Sequence, residues 1–350
     1  MASRNGIIRW FVAVLAVIAI LYGLLYIPTP YVVYKPGLAE DVGSMVKVEN
    51  ADVAENSVFM LTTVRQMYPN WLSFIYARFH PEWDIHKKTD VFKKGETRHD
   101  YVERQLYIMQ SSQSNAIQAA YQAAQIPYAL TVEGVIVLQV ISGMPAEGNL
   151  QVGDRIVAID DTGVVRSEQV LELLRDKKVA DLVKVHFSRN DKEAEIELRM
   201  GDFSAVEMDE NQQPAASRPG LGISPGDIIV VKSEDEGRQV RISVEDIGGP
   251  SAGLIFGLEI VDQLTPGDLT KGYRIAGTGE ILPNGTVGMI GGEKFKVVAA
   301  EAAEAEVFFV PRGNYKEALK KAQEIHSTMQ VVSVDTLEDA INYLDSLTGK

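Results

Sequence analysis

The sequence predicts an α/β protein built as two units behind one N-terminal apolar helix, and three observations carry that prediction. From Trp10 to Ile27 no residue is charged and nearly all are apolar. Over residues 126–203, short runs alternate apolar and polar side chains between turn signals, the pattern of half-buried strands. On both sides of that region strand-like runs alternate with helical periods. One of those helices opens at Gly248-Gly249-Pro250-Ser251-Ala252-Gly253.

The apolar run is long enough as a helix to cross most of a ~30 Å hydrocarbon core. Arg4, Arg9 and the N-terminal amine precede it, which by the positive-inside rule keeps that end cytoplasmic and the remaining chain outside the membrane. A cleavable signal peptide is the rival reading. The run exceeds the usual h-region and meets Pro28-Thr29-Pro30 without a small-x-small site. Residues 1–30 are therefore taken as cytoplasmic N-terminus and anchor.

Residues 31–125 form a stalk and the first part of the second unit. Residues 31–56 are acidic and punctuated by Pro36-Gly37, and Ser57–Val64 is rich in strand formers. Thr97 is placed to cap a long helix running to Ala124. Residues 126–203 follow as a compact β unit. Gly134–Val140 alternates, Leu150-Gln151-Val152-Gly153-Asp154-Arg155-Ile156 gives a turn and a strand, Ser167–Arg175 a helix, and Leu182–Met200 a hairpin across Asn190-Asp191-Lys192. In the Leu-x-x-Gly-Asp-x-Ile pattern the glycine permits a tight turn and the aspartate ties down the loop. Glu207–Gly220 reads as a polar linker, and Arg241–Glu245 as a strand delivering Ser251 to a helix that buries Leu254, Ile255, Leu258, Val261 and Leu264. Residues 204–350 complete the last unit.

Composition removes several functions. The 350 residues carry a formal net charge of −14, which argues against a nucleic-acid surface. There is no cysteine, hence no disulfide or thiolate metal site, and the five histidines are scattered. No metal or cofactor is expected. No Gly-x-x-x-x-Gly-Lys-Ser/Thr loop occurs, so ATP is not expected either.

A serine between glycines at a helix start offers an exposed hydroxyl beside free backbone N–H groups, the surroundings an acyl-transfer nucleophile needs. Gly-Pro-Ser before a helix is also an ordinary N-cap signal. Downstream come Thr278-Gly279-Glu280-Ile281 and Gly291-Gly292-Glu293-Lys294-Phe295-Lys296. Together with Met109-x-x-Ser112-x-x-x-Ala116, this order and spacing resembles the proteolytic domain of Lon-type serine peptidases. Gly277-Thr278-Gly279, Ile290-Gly291-Gly292 and Val310-Pro311 resemble most closely the membrane-anchored, PDZ-containing Lon-like proteases of Gram-positive bacteria. The 126–203 unit resembles a bacterial PDZ domain, which implies a small β-barrel inserted into an α/β (α+β) Lon-type proteolytic domain.

The resemblance implies a Ser–Lys dyad: Ser251 as nucleophile, Lys296 as general base, Thr278 assisting, and backbone at Gly249 and Ala252 for the oxyanion. It implies an ATP-independent, membrane-tethered extracytoplasmic serine endopeptidase that makes limited cuts in peptides or membrane-associated proteins. The PDZ unit would hold an extended peptide by strand addition, with a loop around Tyr128-Ala129-Leu130 expected to capture it. Lysine serves as a base only when neutral, and lowering its pKa to about 8 costs roughly 3 kcal/mol. The apolar run Phe295–Ala300 supplies the required burial. Lys294 is the competitor, but on a helix the two lysines lie about 200° apart, so only one faces Ser251. Two departures stand out. Glu280 and Glu293 put carboxylates near the lysine, where they would raise its pKa, and Gly248 replaces the acidic residue found three before the serine in many Lon enzymes. The alternative function is a catalytically silent Lon-like scaffold with a peptide-binding module.

Overall fold

The computed structural model describes residues 4–51, 57–206, 217–244 and 247–350. Helix α1 (Arg4–Tyr26) ends where Pro28 and Pro30 cannot continue it, and its apolar window Ile8–Tyr26 is not buried by any other part of the protein. Strands β1 (Tyr31–Asp41), β2 (Val46–Val48) and β3 (Val58–Met67) follow. Helix α2 (Trp71–Arg78) is capped by Asn70, whose Oδ1 accepts from the Ser73 N–H at 2.8 Å. Strand β4 (Asp84–Lys87) and the single turn α3 (Lys88–Val91) lead to α4 (Arg98–Ala123), which starts at the expected Thr97. Thr97 and Asp100 there form a reciprocal capping box.

The next elements are β5 (Tyr128–Val140), β6 (Arg155–Ile159), β7 (Thr162–Gly163), α5 (Ser167–Arg175), β8 (Leu182–Arg189), β9 (Lys192–Arg199), β10 (Gly201–Asp202), β11 (Pro219–Gly220) and β12 (Ile223–Ser233). Asn190 and Asp191 both take positive φ, 51° and 60°, as the two-residue turn between β8 and β9 requires. Asp154 ties down its loop as expected, accepting from Gln151 N at 2.8 Å and from Arg189 Nε at 2.6 Å. Val135, Val137, Ile156, Val170, Val183, Val185 and Leu198 make a core of their own.

Three sequence expectations change here. The sheet runs β12-β5-β6-β8-β9 with two free edges, so it is open where a small β-barrel was expected. Its edge strand β12 comes from beyond residue 203, and Leu221 joins the core of this unit. The expected boundary therefore moves to about the Tyr128–Ser233 pair, because pairing between residues 105 apart leaves no local signal. The expected linker lies mostly at 207–216, outside the described residues, as do Glu245 and residues 52–56.

The last stretch begins with β13 (Val240–Ile242), which pairs with β2, and α6 (Gly253–Leu264). It continues through β14 (Arg274–Gly277), β15 (Glu280–Ile281), β16 (Val287–Gly288), α7 (Glu293–Ala302), β17 (Val307–Pro311), α8 (Arg312–Glu324), β18 (Gln330–Val334) and α9 (Leu337–Ser346). A second sheet has the order β18-β17-β14-β3-β1-β4. Pairs β14–β3, β14–β17 and β17–β18 are parallel, with α7 and α8 as the crossovers between the last three strands. Residues 58–61 thus pair with 274–277, and Met109, Ala116, Ala120 and Tyr121 share a core with Leu254, Ile255, Leu258 and Phe309. Helix α6 is buried on every side from Gly253 to Gln263, Glu259 and Asp262 included, rather than along one stripe. It lies between α4, α9 and the strands, so no face is left for water.

Candidate active site

Two elements present Ser251. The Gly248–Ser251 loop lies against α4, where Gly249 N donates to Gln105 O at 3.0 Å and Ser112 Oγ donates to Pro250 O at 2.8 Å. The segment after β14 holds it from the other side: Gly279 N donates to Ser251 O at 2.8 Å, and Leu254 N to Gly279 O at 3.1 Å. Gly253 is required by close approach. A Cβ there would lie 2.7 Å from both Ile281 Cγ2 and Ser112 Oγ. The buried motif Met109, Ser112, Ala116 on α4 is thus the wall against which the serine loop is set.

Lys296 sits in the first turn of α7, begun by Gly292 at φ 75°, a conformation that favours glycine. The lysine is only 2% exposed. Its Nζ lies 2.6 Å from Ser251 Oγ, 3.0 Å from Thr278 Oγ1 and 2.9 Å from Thr62 O. Lys294 points elsewhere, forming a half-exposed ion pair with Asp84 at 2.6 Å. Ser251, Thr278 and Lys296 are therefore brought together, and Lys294 is not with them.

The hydrogen-bond directions within this cluster follow from donor counting. Thr62 O can only accept. The Thr278 hydroxyl gives its own proton to Ser251 O at 3.1 Å, so towards Lys296 it accepts. A neutral lysine has two N–H donors and one lone pair, and these two neighbours consume both donors. The lone pair is left facing the Ser251 hydroxyl, the arrangement proton abstraction needs. Burial lowers the Lys296 pKa from 10.5 to about 7, while Glu293 opposes the shift. Desolvation wins, and Asn314 Nδ2 engages the Glu293 carboxylate at 3.2 Å.

One expected group is corrected. The Gly249 N–H cannot serve an oxyanion, because the Gln105 carbonyl already takes it. The N–H groups of Ser251 and Ala252 have no partner among the described residues, and Ala252 caps α6, whose N-terminal dipole favours negative charge. The Ser251 amide was not among the expected residues, although every helix start leaves such N–H groups open.

The expected peptide loop is corrected too. Tyr128, Ala129 and Leu130 lie inside β5, paired with Ser233, Lys232 and Val231, and the Tyr128 ring stacks on Tyr121. They form a strand paired with β12 on one side, not a capture loop. One open edge of this sheet is the first part of β12, before α4 covers it through Tyr107 Oη to Asp227 O and Ser114 Oγ to Ile229 O, both at 2.9 Å. Helix α5 lies beside it: Ser167 N donates to Asp227 Oδ1 at 2.6 Å, and Leu171 on α5 is 56% exposed. Arg218 through Gly222, with β11 in their middle, form the segment leading into that edge.

Residues 244–345 match the family model of the Lon protease (S16) C-terminal proteolytic domain, and residues 106–200 that of the PDZ domain. The second match enters α4, whose residues pack on the serine helix, and stops short of β12. Lon protease of Campylobacter concisus is 37% identical over 94 residues, 27% of this chain and 11% of that protein. Lon protease of Campylobacter jejuni is 36% identical over 96 residues, 27% and 12% of the respective lengths. The chain thus spans about a tenth of the curated relatives it matches. A solution structure from Geobacillus thermodenitrificans is 36% identical, covering 26% of this chain and 95% of its own, with a TM-score of 0.21. The PDZ domain of the SdrC-like protein of Listeria monocytogenes is 28% identical, covering 27% of this chain and 90% of its own, with a TM-score of 0.22. The chain carries a Lon protease C-terminal proteolytic domain and a PDZ domain.

Proposed function

We propose that this protein is an ATP-independent serine endopeptidase, tethered by α1 with its catalytic unit outside the membrane, working through a Ser251–Lys296 dyad. The observation that carries the reading is a fully buried lysine 2.6 Å from a serine hydroxyl, with its other two contacts both acceptors. Lys296 takes the Ser251 proton as Oγ attacks the scissile carbonyl. Thr278 and Thr62 O hold the ammonium that forms, and the Ser251 and Ala252 amides meet the oxyanion. Lys296 then returns the proton to the leaving amine, and a water attacks the acyl-enzyme by the same route in reverse.

A silent scaffold would gain nothing from this arrangement. Holding Lys296 at a pKa of about 7 costs about 5 kcal/mol relative to a solvated ammonium at low pH. Replacing it by an apolar side chain would relieve that cost, so its presence supports catalysis. The PDZ domain supports peptide handling, with an extended segment adding to the β12 edge beside α5. The test is incubation of wild type, Ser251→Ala, Lys296→Ala and Lys294→Ala with extracytoplasmic proteins, followed by mapping of new termini. The proposal expects new termini from wild type and Lys294→Ala only. Cleavage by Ser251→Ala would overturn it.

A further inference from the structure

Helix α2 buries Ala77 towards the protein and half-buries Phe74, whose ring stacks on Tyr31 at 4.6 Å between centroids. Its outer face is apolar as well. Leu72, Ile75, Tyr76 and Phe79 are 52%, 46%, 57% and 79% exposed. Their spacing, i, i+3, i+4 and i+7, puts all four on one stripe. A water-facing helix has no use for such a stripe, and contiguous exposed apolar surface marks a contact.

The position of α2 identifies what it contacts. Asn70 caps α2 and donates from Nδ2 to Leu25 O, in the last turn of α1, at 3.0 Å. Pro28 and Asn70 form a backbone bridge, and Thr29 Oγ1 donates to Pro69 O at 2.7 Å. The start of α2 is therefore pinned to the level at which the apolar helix ends. Aromatic side chains gather there: Tyr76 meets Trp83 edge-on at 5.7 Å, and His80 stacks on Trp83 at 4.7 Å. Arg78 and Lys87 are exposed close by, in a chain whose net charge is −14. Tyr and Trp with flanking cations are the side chains that settle at a bilayer–water interface.

We infer that α2 is an interfacial helix whose Leu72–Ile75–Tyr76–Phe79 stripe inserts into the headgroup region of the bilayer that α1 crosses. The inference rests on α1 spanning that bilayer. The protein would then hold the membrane at two points, a spanning helix and a helix lying in the surface, which fixes the height and tilt of the catalytic unit.

The absence of cysteine allows a direct test with the full chain in lipid nanodiscs. Single cysteines at Leu72, Ile75, Tyr76 and Phe79 are labelled with bimane, alongside Val17→Cys within α1 and Leu171→Cys on the PDZ domain. The expected result is blue-shifted emission at all four α2 positions, quenched by lipids carrying a nitroxide near the headgroup, with Val17 quenched by lipids carrying it deep in the acyl chains and neither effect at Leu171. Quenching at Val17 alone, with α2 labels emitting like Leu171, overturns the inference and leaves the spanning helix intact. A blue shift without lipid quenching overturns it in favour of a second copy of the chain. Loss of quenching at Val17 itself overturns the spanning reading and the inference with it.

Discussion

The pH dependence of Ser251 acylation puts the dyad to its sharpest test. If Lys296 is the base, the rate follows its neutral fraction. With a pKa of about 7 that fraction is about one half at pH 7. At the ordinary value of 10.5 it would be about 3 in 10,000. Burial thus makes the base roughly a thousand times more abundant at neutral pH. A small activated ester with a chromophoric leaving group reads this step directly, since it needs only nucleophile, base and oxyanion groups. Burst rates measured from pH 5.5 to 9.5 should rise tenfold per unit below pH 7 and flatten above about pH 8. Glu293→Gln should move the midpoint down, because that carboxylate opposes the shift. Lys296→Ala should leave only a slow rate without this inflection. A rate still rising tenfold per unit between pH 8.5 and 9.5 would refute the reasoning, since it would mean Lys296 keeps a solution-like pKa.

The same burial appears in stability. The unfolded chain binds more protons at Lys296 between pH 7 and 10.5, so wild-type melting temperature should rise relative to Lys296→Met across that window; a constant difference would contradict this. Glu259, raised to about 7 by burial with Asp262 and Asp41 nearby, has the opposite sign: its folded form keeps a proton from pH 4.5 to 7, and stability is lost as pH rises through that range. Glu259→Gln should therefore stabilise by about 3 kcal/mol at pH 8 and by little at pH 4, as read by chemical denaturation. Gly253→Ala forces a Cβ to 2.7 Å from two neighbours and should cost about 1–3 kcal/mol while slowing acylation through displacement of Ser251. Leu171→Asp on α5 should impair cleavage of a folded substrate yet leave the ester burst unchanged; equal loss of both would sink the strand-addition reading.

Much of the site was legible because its signals are local. Thr97 is a capping residue at the head of a helical period, Asn190-Asp191 is a turn dipeptide, and helix geometry lets only one of Lys294 and Lys296 face Ser251, with the apolar run around Lys296 favouring it. What was not legible depends on distant partners. Nothing near Gly249 says that the Gln105 carbonyl, on another helix, takes its N–H. Nothing near Tyr128 says that it pairs with Ser233 of β12, 105 residues later. The burial of Glu259 was hidden for the same reason, since a carboxylate in a helical period reads as a solvated face until the packing on that face is known.

Strands β5 and β12 leave the rest of the protein side by side, Tyr128 opposite Ser233, with Glu234 N bonded to Pro127 O at 3.0 Å. Helix α4 grips this two-stranded stem, Tyr107 on Asp227 O and Ser114 on Ile229 O, with the same turns that hold the serine loop. The PDZ domain is therefore a cassette with both of its connections at one socket. On the proposed function, a chimera that kept the socket and exchanged this domain at residues adjoining 127 and 234 would change which chains are offered to Ser251 while leaving the Ser251–Lys296 contact in place. Excision at 126 and 203, by contrast, would strand β12 and leave the socket half filled.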